Sequence, residues 1–420
     1  MTMKVNSDSN YESYRRRVFD FLWREVEPLA NEIEVGPFPY DKLFPGFRQH
    51  GLFGLLIPGE YGGIGLTTAQ YLPFLAEYSK VSGAIRVLLH VHGTSARAVM
   101  AFGTKAQKAR YLPALAYGTS SMSFAITEPN AGTGMDLATT AVRDGNHWFI
   151  NGAKHYITNA SFADLHLVCC RTAASADRRA FTAIVIETGT PGFTIEPMPE
   201  LMGANGPPHA ILRFENAQVP FENLIGAEGA GLDVFLGELE PSRVFVAASA
   251  LGTAERALEI ALDFAKQRVT FGKPIAERHS IQSELAQMAR DVYALKLMLE
   301  DVAAKIDCGK SCAVEASVAK LFGAETVMRV TDRAMDVLGG RSYFRDYPYP
   351  LERLYREARL NMLEEGTPSI QRLVIARNLL QEAVPLQLGT LGEPYHPEGI
   401  NPALGNTPPQ DLAYAHAARK

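Results

Sequence analysis

Two adjacent carboxylates, Glu364 and Glu365, stand directly before Gly366 in the stretch NMLEEGTPSIQR. A carboxylate can take a proton from carbon only where water is excluded, because burial raises its pKa toward working pH, and a second acid beside it pushes the same way. The neighbouring residues bear on whether such a place exists. Upstream, Leu351, Leu354, Ala358 and Met362 recur at steps of three and four, the stripe of an amphipathic helix. Downstream, Thr367 and Pro368 read as the N-cap and first-turn residue of a second helix, with Ile370, Leu373 and Val374 on one face. Gly366 is the break between them. The pair thus lies at a helix-helix junction, and two readings stay open. One is a solvated helix end, the usual fate of Glu; the other is a carboxylate aimed into whatever lies beside the joint.

Other common chemistries lack their residues. The GKS at 309–311 has no upstream glycine at P-loop spacing, and GAEGAG at 226–231 is not G-x-G-x-x-G after a strand. There is no G-x-S-x-G elbow and no H-E-x-x-H. His90 and His92, one residue apart, would suit a metal only on a strand; in a helical segment they predict a satisfied or exposed pair, and no metal is expected. Cys169, Cys170, Cys308 and Cys312 form neither a disulfide framework nor paired C-x-x-C ligands, which predicts reduced thiols in a cytoplasmic protein. A net charge of -5 offers no basic stripe to nucleic acid. No apolar run reaches the roughly 18 residues that a bilayer requires. The polar start mixes acids with arginines, unlike a secretory or transit peptide.

The elements that would position the carboxylates fall into segments of different texture. A chain of 420 residues predicts two or three structural units. Residues 1–120 are mainly helical, with glycine-rich punctuation in GLFGLLIPGEYGGIGL and a polar break at FGTKAQKARYLPALAYG. Residues 121–230 carry short β-branched and aromatic runs, HWFINGAKHYIT, HLVCCRT, FTAIVIE and AILRFENAQVP, which predict a small β domain, barrel-like or a sandwich. Residues 231–385 return to long helices. There Ile281, Leu285, Met288, Val292, Leu295, Met298 and Val302 make a seam suited to a four-helix bundle. Residues 386–420 are too rich in Pro and Gly to continue it and read as a surface tail. The expected fold is α+β and mostly helical.

Four stretches in fixed order carry a family resemblance: FAITEPNAGTG at 124–134, INGAKHYITNA at 150–160, QRVTFGKPIAERHSIQSELAQMA at 267–289, and the long segment 338–377 that ends in EGTPSIQ. Together they resemble the acyl-CoA dehydrogenase family of flavoproteins over residues 15 to 383, nearly all but the tail. The resemblance implies a helical domain, a β domain and a helical bundle, an FAD cofactor, and α,β-desaturation of an acyl thioester carried on coenzyme A or on a carrier protein. It implies that Glu365 is the base, because the family's glutamate directly precedes G-T. Some members carry the base before a substrate-region arginine, here Arg243, but that place holds Ser242. By the same resemblance the thioester oxygen is held by a flavin ribityl hydroxyl and the Glu365 N–H, and Gly366 lets the chain approach the thioester closely.

The resemblance further implies flavin contacts from Phe124, Ile126, Thr127, Gly132 and Thr133, with Tyr156 against the ring system, Thr158 at its N5 edge and Thr367 beside the base. Arg268 and Phe271 match positions that reach the FAD of a neighbouring subunit, which implies an oligomer, at least a dimer and by analogy a tetramer. His279, Asp336 and Gly340 map to the cofactor's pyrophosphate and adenine end; His279 and Asp336 stand for usual glutamines, and Ser342 for a glycine. Asp336 would repel phosphate unless Arg341 or His279 compensates. Gly134 for a usual aspartate and Pro207 for a usual serine alter the substrate-side loops. Glu240 and Arg243 match positions near the acyl chain, with a surface ion pair as the bland alternative. The implied electron acceptor is an electron-transfer flavoprotein. Competing functions are an N-hydroxylase or nitroalkane-type oxidase on the same scaffold, which bleaching by acyl-CoA without oxygen would separate, and a non-oxidative lyase or scaffold, which would refuse FAD.

Overall fold

Caps fix where several early helices begin. Thr67 and Thr104 each accept the N–H of the glutamine three residues on, and Gln70 and Gln107 return a bond to the cap N–H. These boxes open two of six N-terminal helices in the computed structural model, which describes residues 8–132, 134–206, 208–345 and 349–380. The six are α1 (Asp8–Phe21), α2 (Ala30–Val35), α3 (Tyr40–Gln49), α4 (Thr68–Val81), α5 (Gly83–Phe102) and α6 (Lys105–Tyr117). The polar stretch expected to break the helical pattern is therefore mostly α6. Its basic residues Lys105 and Arg110 are exposed while Tyr111, Leu112 and Leu115 turn inward. The true break is Gly103 with Thr104, whose cap starts the new helix.

The strand runs form one sheet: β1 (Met122–Ala125), β2 (Thr140–Asp144), β3 (His147–Ile157), β4 (Leu165–Arg171), β5 (Phe181–Glu187), β6 (Phe193–Pro197), β7 (Ala210–Pro220) and β8 (Leu224–Ile225). Its order is β6-β7-β3-β2-β4-β5-β8, with β1 parallel to β4. Strands β4 and β5 are apolar almost end to end, as strands covered on both faces must be. Leu167, Cys169, Ala183 and Val185 pack with helical residues such as Leu112 and Leu115. Val168, Cys170, Ile184 and Ile186 face the other way, onto Trp148, Ile150, Leu212 and Phe214 of β3 and β7. The middle β domain expected is present as this one sheet with an apolar cluster on each face. Adjacent Cys169 and Cys170 thus enter separate cores, and all four cysteines are free thiols.

The C-terminal helices are α7 (Gly231–Gln267), α8 (His279–Asp307), α9 (Ala313–Leu338), α10 (Leu351–Ala358) and α11 (Pro368–Leu380); the hairpin strands β9 (Val269–Thr270) and β10 (Lys273–Pro274) link α7 to α8. Met288, Leu295 and Val302 of the α8 seam are buried. Helix α7 crosses α4 so closely that a Cβ on Gly252 would lie 1.9 Å from the Ala76 carbonyl oxygen. Helix α10 ends at Ala358, short of Met362, which sits in a following 3-10 turn. Ile370 and Leu373, which share one face of α11, are exposed in the single chain. Among the described residues no helix is long and apolar enough to cross a membrane.

Candidate active site

The junction between α10 and α11 turns on two consecutive left-handed residues, Glu365 at φ 53° and Gly366 at φ 91°. Glycine adopts this freely; a glutamate does not, and such a residue persists only where its surroundings over-determine it. They do so from three helices. Gln371 of α11, fully buried, donates to the Glu365 and Gly366 carbonyls at 2.8 and 3.1 Å. Lys320 of α9 donates to the Gly366 carbonyl at 2.5 Å. Arg86 of α5 grips Glu364 with a two-pronged pair of 2.7 Å bonds. A Cβ on Gly366 would meet the Gln371 amide nitrogen at 2.8 Å, so glycine is needed here for its φ and for the clamp on the backbone.

The Glu365 side chain is half-buried by this arrangement. Its Oε2 is buried and has no hydrogen-bond partner. Burial raises its pKa to about 7, with Glu364 adding to the rise and the Ser242 hydroxyl, Arg243 and Lys320 opposing it. The like-charge push is modest because Arg86, only 2% exposed, already neutralises Glu364. The Lys320 ammonium is itself held down to about 8 by burial, against the pull of both glutamates. The Glu364 N–H donates to Leu360 at 3.1 Å, whereas the Glu365 N–H has no backbone partner among the described residues. One spot therefore presents a buried carboxyl oxygen tuned to neutral pH and an unspent backbone donor, the parts needed to take a proton from the carbon next to a carbonyl.

Nearby on α7, Arg243 donates to Ser317 at 3.4 Å and its Nε has no partner. Glu240 accepts the Cys312 N–H at 3.2 Å. No Glu240–Arg243 ion pair forms among the described residues, so the bland surface-pair alternative does not apply. His90 and His92 are both buried: His90 Nε2 meets Ser242 Oγ at 2.8 Å, and His92 Nε2 meets the Leu115 carbonyl at 3.1 Å. Each ring thus bonds a separate partner, and His90 Nδ1 has none among the described residues.

The residues expected to line a flavin lie along β1 and β3. Phe124 packs on Phe235 with ring centroids 4.4 Å apart, Ile126 is buried, and the Thr127 carbonyl accepts the His155 N–H at 2.8 Å. Buried Lys154 ties this turn to β3 through the Ile126 carbonyl at 3.1 Å and Glu128 at 2.7 Å. Gly132 is exposed, and Thr133 and Pro207 lie outside the described residues. Tyr156 stands at φ 59° with its ring 61% exposed, presented rather than packed. The Thr158 hydroxyl meets His209 Nε2 at 2.8 Å, and burial keeps that imidazole neutral, its pKa down to about 4. The Thr367 carbonyl accepts the Gln371 N–H at 3.0 Å, opening α11.

A cavity of about 580 Å³ lies between the α7–α8 hairpin and the end of α9, lined by Arg268, Arg278, Asp336, Gly339, Gly340 and Arg341 among others. His279 and Phe271 are not in its wall. His279 is exposed at the start of α8, and Phe271 is 97% exposed.

Each third of the chain matches a family model of the acyl-CoA dehydrogenases: the N-terminal domain over residues 8–119, the middle domain over 123–217 and the C-terminal domain over 229–380. An acyl-CoA dehydrogenase of Bacillus subtilis is 38% identical over 369 residues, covering 87% of this chain and 97% of that protein. The chain belongs to the acyl-CoA dehydrogenase family. The solved butyryl-CoA dehydrogenase of Megasphaera elsdenii superposes with a TM-score of 0.85 at 33% identity, covering 90% of this chain and all (100%) of that one. A chain in a structure named for the electron transferring flavoprotein of Acidaminococcus fermentans does so with a TM-score of 0.85 at 34% identity, again covering 90% and 100%.

Acyl-CoA dehydrogenases are flavoproteins, and the 580 Å³ cavity fits the phosphate end of such a cofactor. Three arginines line it, Arg278 with one arm bonded to the Thr270 carbonyl and hydroxyl, and a Cβ at Gly339 or Gly340 would meet nothing within 4 Å, so the backbone leaves room for close approach. Asp336 is the discordant member of this donor set, although Arg341 lines the same cavity. Sequence reasoning did not single out Arg86, Lys320 or Gln371. One signal was present: Arg86 is a lone charge in the apolar run GAIRVLLHVHG, and a buried arginine requires a partner.

Proposed function

We propose that this acyl-CoA dehydrogenase family member desaturates an acyl-CoA thioester at the α,β position, with Glu365 as the base that takes the α-proton. The observation that carries the assignment is the buried, unpartnered Glu365 Oε2 on a carboxyl whose pKa is raised to about 7. Above that pH the carboxylate would accept the proton, and the Glu365 N–H would hold the carbonyl oxygen as enolate charge grows. Bound FAD supplies the acceptor for the hydride that leaves Cβ. Arg268, Arg278 and Arg341 would hold the pyrophosphate end of a neighbouring subunit's FAD, and Tyr156 offers an exposed ring to the flavin of its own subunit. The enzyme is proposed to work as an oligomer, since Arg268 and Phe271 lie exposed at the α7–α8 hairpin. The likeness to a chain from an electron transferring flavoprotein structure supports such a protein as the electron acceptor.

Anaerobic titration of the FAD-loaded enzyme with a panel of acyl-CoA thioesters, followed at the flavin absorption band, tests the assignment. Glu365→Gln is expected to keep thioester binding and to reduce at least about a thousandfold more slowly, the upper range for loss of a general base. Reduction by the wild type is expected to rise with pH through about 7. A Gln variant that reduces at a near-normal rate would refute the base.

A further inference from the structure

We propose that the acyl group of the thioester carries an uncharged hydrogen-bonding substituent, a hydroxyl or an amide, and that His90 and Thr94 recognise it in a seam between α5 and α7. The proposal rests on Glu365 being the base toward an acyl thioester, and it names the class of acyl chain that base would serve. One face of α5 carries Arg86, His90, Thr94 and Arg97, at steps of four, four and three that keep the side chains in line. The row starts at the base junction, where Arg86 grips Glu364, the neighbour of the base, through two 2.7 Å bonds. It then climbs away, with His90 about 6 Å and Thr94 about 12 Å along the helix axis from Arg86.

Helix α7 runs alongside in the opposite direction. His90 Nε2 lies 2.8 Å from Ser242 Oγ, and Arg97 donates to Glu238, four residues earlier in α7, at 2.9 Å. The Phe245 ring of α7 lies beside both levels, its centroid 5.9 Å from that of the His90 ring and 5.9 Å from the Arg97 guanidinium carbon. Charge is therefore closed at both ends of the seam, Arg86 by Glu364 and Arg97 by Glu238. Hydrogen-bonding capacity is open in the middle: His90 Nδ1 and Thr94 Oγ1 are buried atoms without a partner among the described residues.

A helix offers a buried hydroxyl a ready partner in the carbonyl four residues back, and Ser95, Ser249, Ser317 and Thr331 all take it. Thr94 does not. Solvent does not serve the two bare atoms either, since His90 and Thr94 are only 2% and 3% exposed. Buried polar atoms left bare are costly, and a ligand group that enters the seam and pairs with them accounts for both. A hydrocarbon chain would pair with neither. A carboxylate would need a free cation and an ammonium a free anion, but the charged residues on this face are already paired with each other's counterparts, and burial keeps His90 neutral. A hydroxyl or amide both donates and accepts, so it suits Thr94 whichever way that proton turns and His90 in either tautomer.

The test is calorimetric, on FAD-loaded Glu365→Gln enzyme, which is expected to hold a thioester without turning it over. Three probes of equal chain length differ only at the far end: pentanoyl-CoA ends in a methyl, 5-hydroxypentanoyl-CoA in a hydroxyl and glutaryl-CoA in a carboxylate. The hydroxyl probe is expected to bind at least about tenfold tighter than either of the others, the gain from pairing atoms that are otherwise left bare. Added to that background, Thr94→Val keeps the volume and removes the hydroxyl; it should bring the hydroxyl and methyl probes within about threefold of each other, whereas Thr94→Ser should keep the gap. His90→Leu should narrow it likewise, and if that variant does not fold the Thr94 pair decides. A methyl probe bound as tightly as the hydroxyl one would overturn the proposal, as would a gap that survives the Thr94→Val and His90→Leu changes. Tightest binding of the carboxylate probe would overturn the uncharged class. Anaerobic flavin reduction of the wild type by the same probes keeps the failures apart: reduction by none of them removes the desaturation reading, whereas reduction by pentanoyl-CoA beside equal affinities removes only the seam.

Discussion

At the base junction, buried charge is met by buried charge: Arg86 holds Glu364, Lys320 holds the Gly366 carbonyl, and Gln371 holds two carbonyls at once. At the α7–α8 hairpin and the end of α9 the same chain does the opposite. Arg268, Asp336 and Gly340 are exposed around an open cavity, and Phe271 projects almost wholly free of its own fold. The difference teaches which half of the site one chain can finish. A carboxyl whose pKa is to lie near neutrality has to be desolvated by its own fold, and here Arg86, Lys320 and Gln371 each bond to the junction from within the chain. A phosphate-binding end can remain wet until ligand and neighbouring subunit cover it, because arginine donors lose little in water.

The sharpest way to break the first region is to remove its arginine. Arg86→Leu takes the two-pronged partner from the part-buried Glu364 carboxylate and is expected to cost about 3 kcal/mol of stability, the low end for loss of one partner of a buried pair because Lys320 remains nearby. Urea denaturation measures it. The double variant Arg86→Leu with Glu364→Gln should recover most of the loss, and a double-mutant cycle that shows no coupling would mean the pair is ornamental.

Removing the base charge gives the next largest effect, with a sign set by the raised pKa. The folded state holds the Glu365 proton up to about pH 7, against 4.5 for the ordinary side chain. The stability this contributes is complete below about 4.5 and gone once pH passes 7, amounting to about 3 kcal/mol. Glu365→Gln, which does not titrate, should therefore match the wild type near pH 4.5 and exceed it by up to that amount at pH 8. Denaturation curves at the two pH values decide; equal differences at both would mean the carboxyl is not desolvated.

The two regions were unequally legible in the sequence. Runs such as HLVCCRT and FTAIVIE coincide with β4 and β5 because period and β-branching are local properties. FGTKAQKARYLPALAYG was misleading because a helix with a charged outer face looks like a loop when only polarity is weighed; its Thr104 and Gln107 capping box was the better sign. The α11 face, exposed in one chain, shows the converse, since an apolar stripe does not say what will cover it. The junction clamp was out of reach for another reason. Arg86 and Glu364 are 278 residues apart and Lys320 and Gly366 are 46 apart, and no local pattern encodes such pairings. Only the lone charge in the apolar α5 segment hinted that a partner existed.

The smallest expected effect sharpens the second region. Asp336 shares its cavity with Arg268, Arg278 and Arg341, so its charge opposes whatever anion those arginines attract. Because the carboxylate is exposed, water screens it, and its cost to a bound pyrophosphate should be about 0.5 to 1 kcal/mol rather than the several that a buried charge would exact. Asp336→Asn is therefore expected to tighten FAD binding about two- to fivefold at low salt, with the gain fading as the ionic strength passes about 0.15 M. Titration of apoenzyme with FAD at two salt concentrations measures it. An unchanged affinity at low salt would place the phosphates away from this wall. A loss of affinity would give Asp336 a different part, that of an acceptor for a cofactor hydroxyl, and would turn the discordant residue into a recognition element.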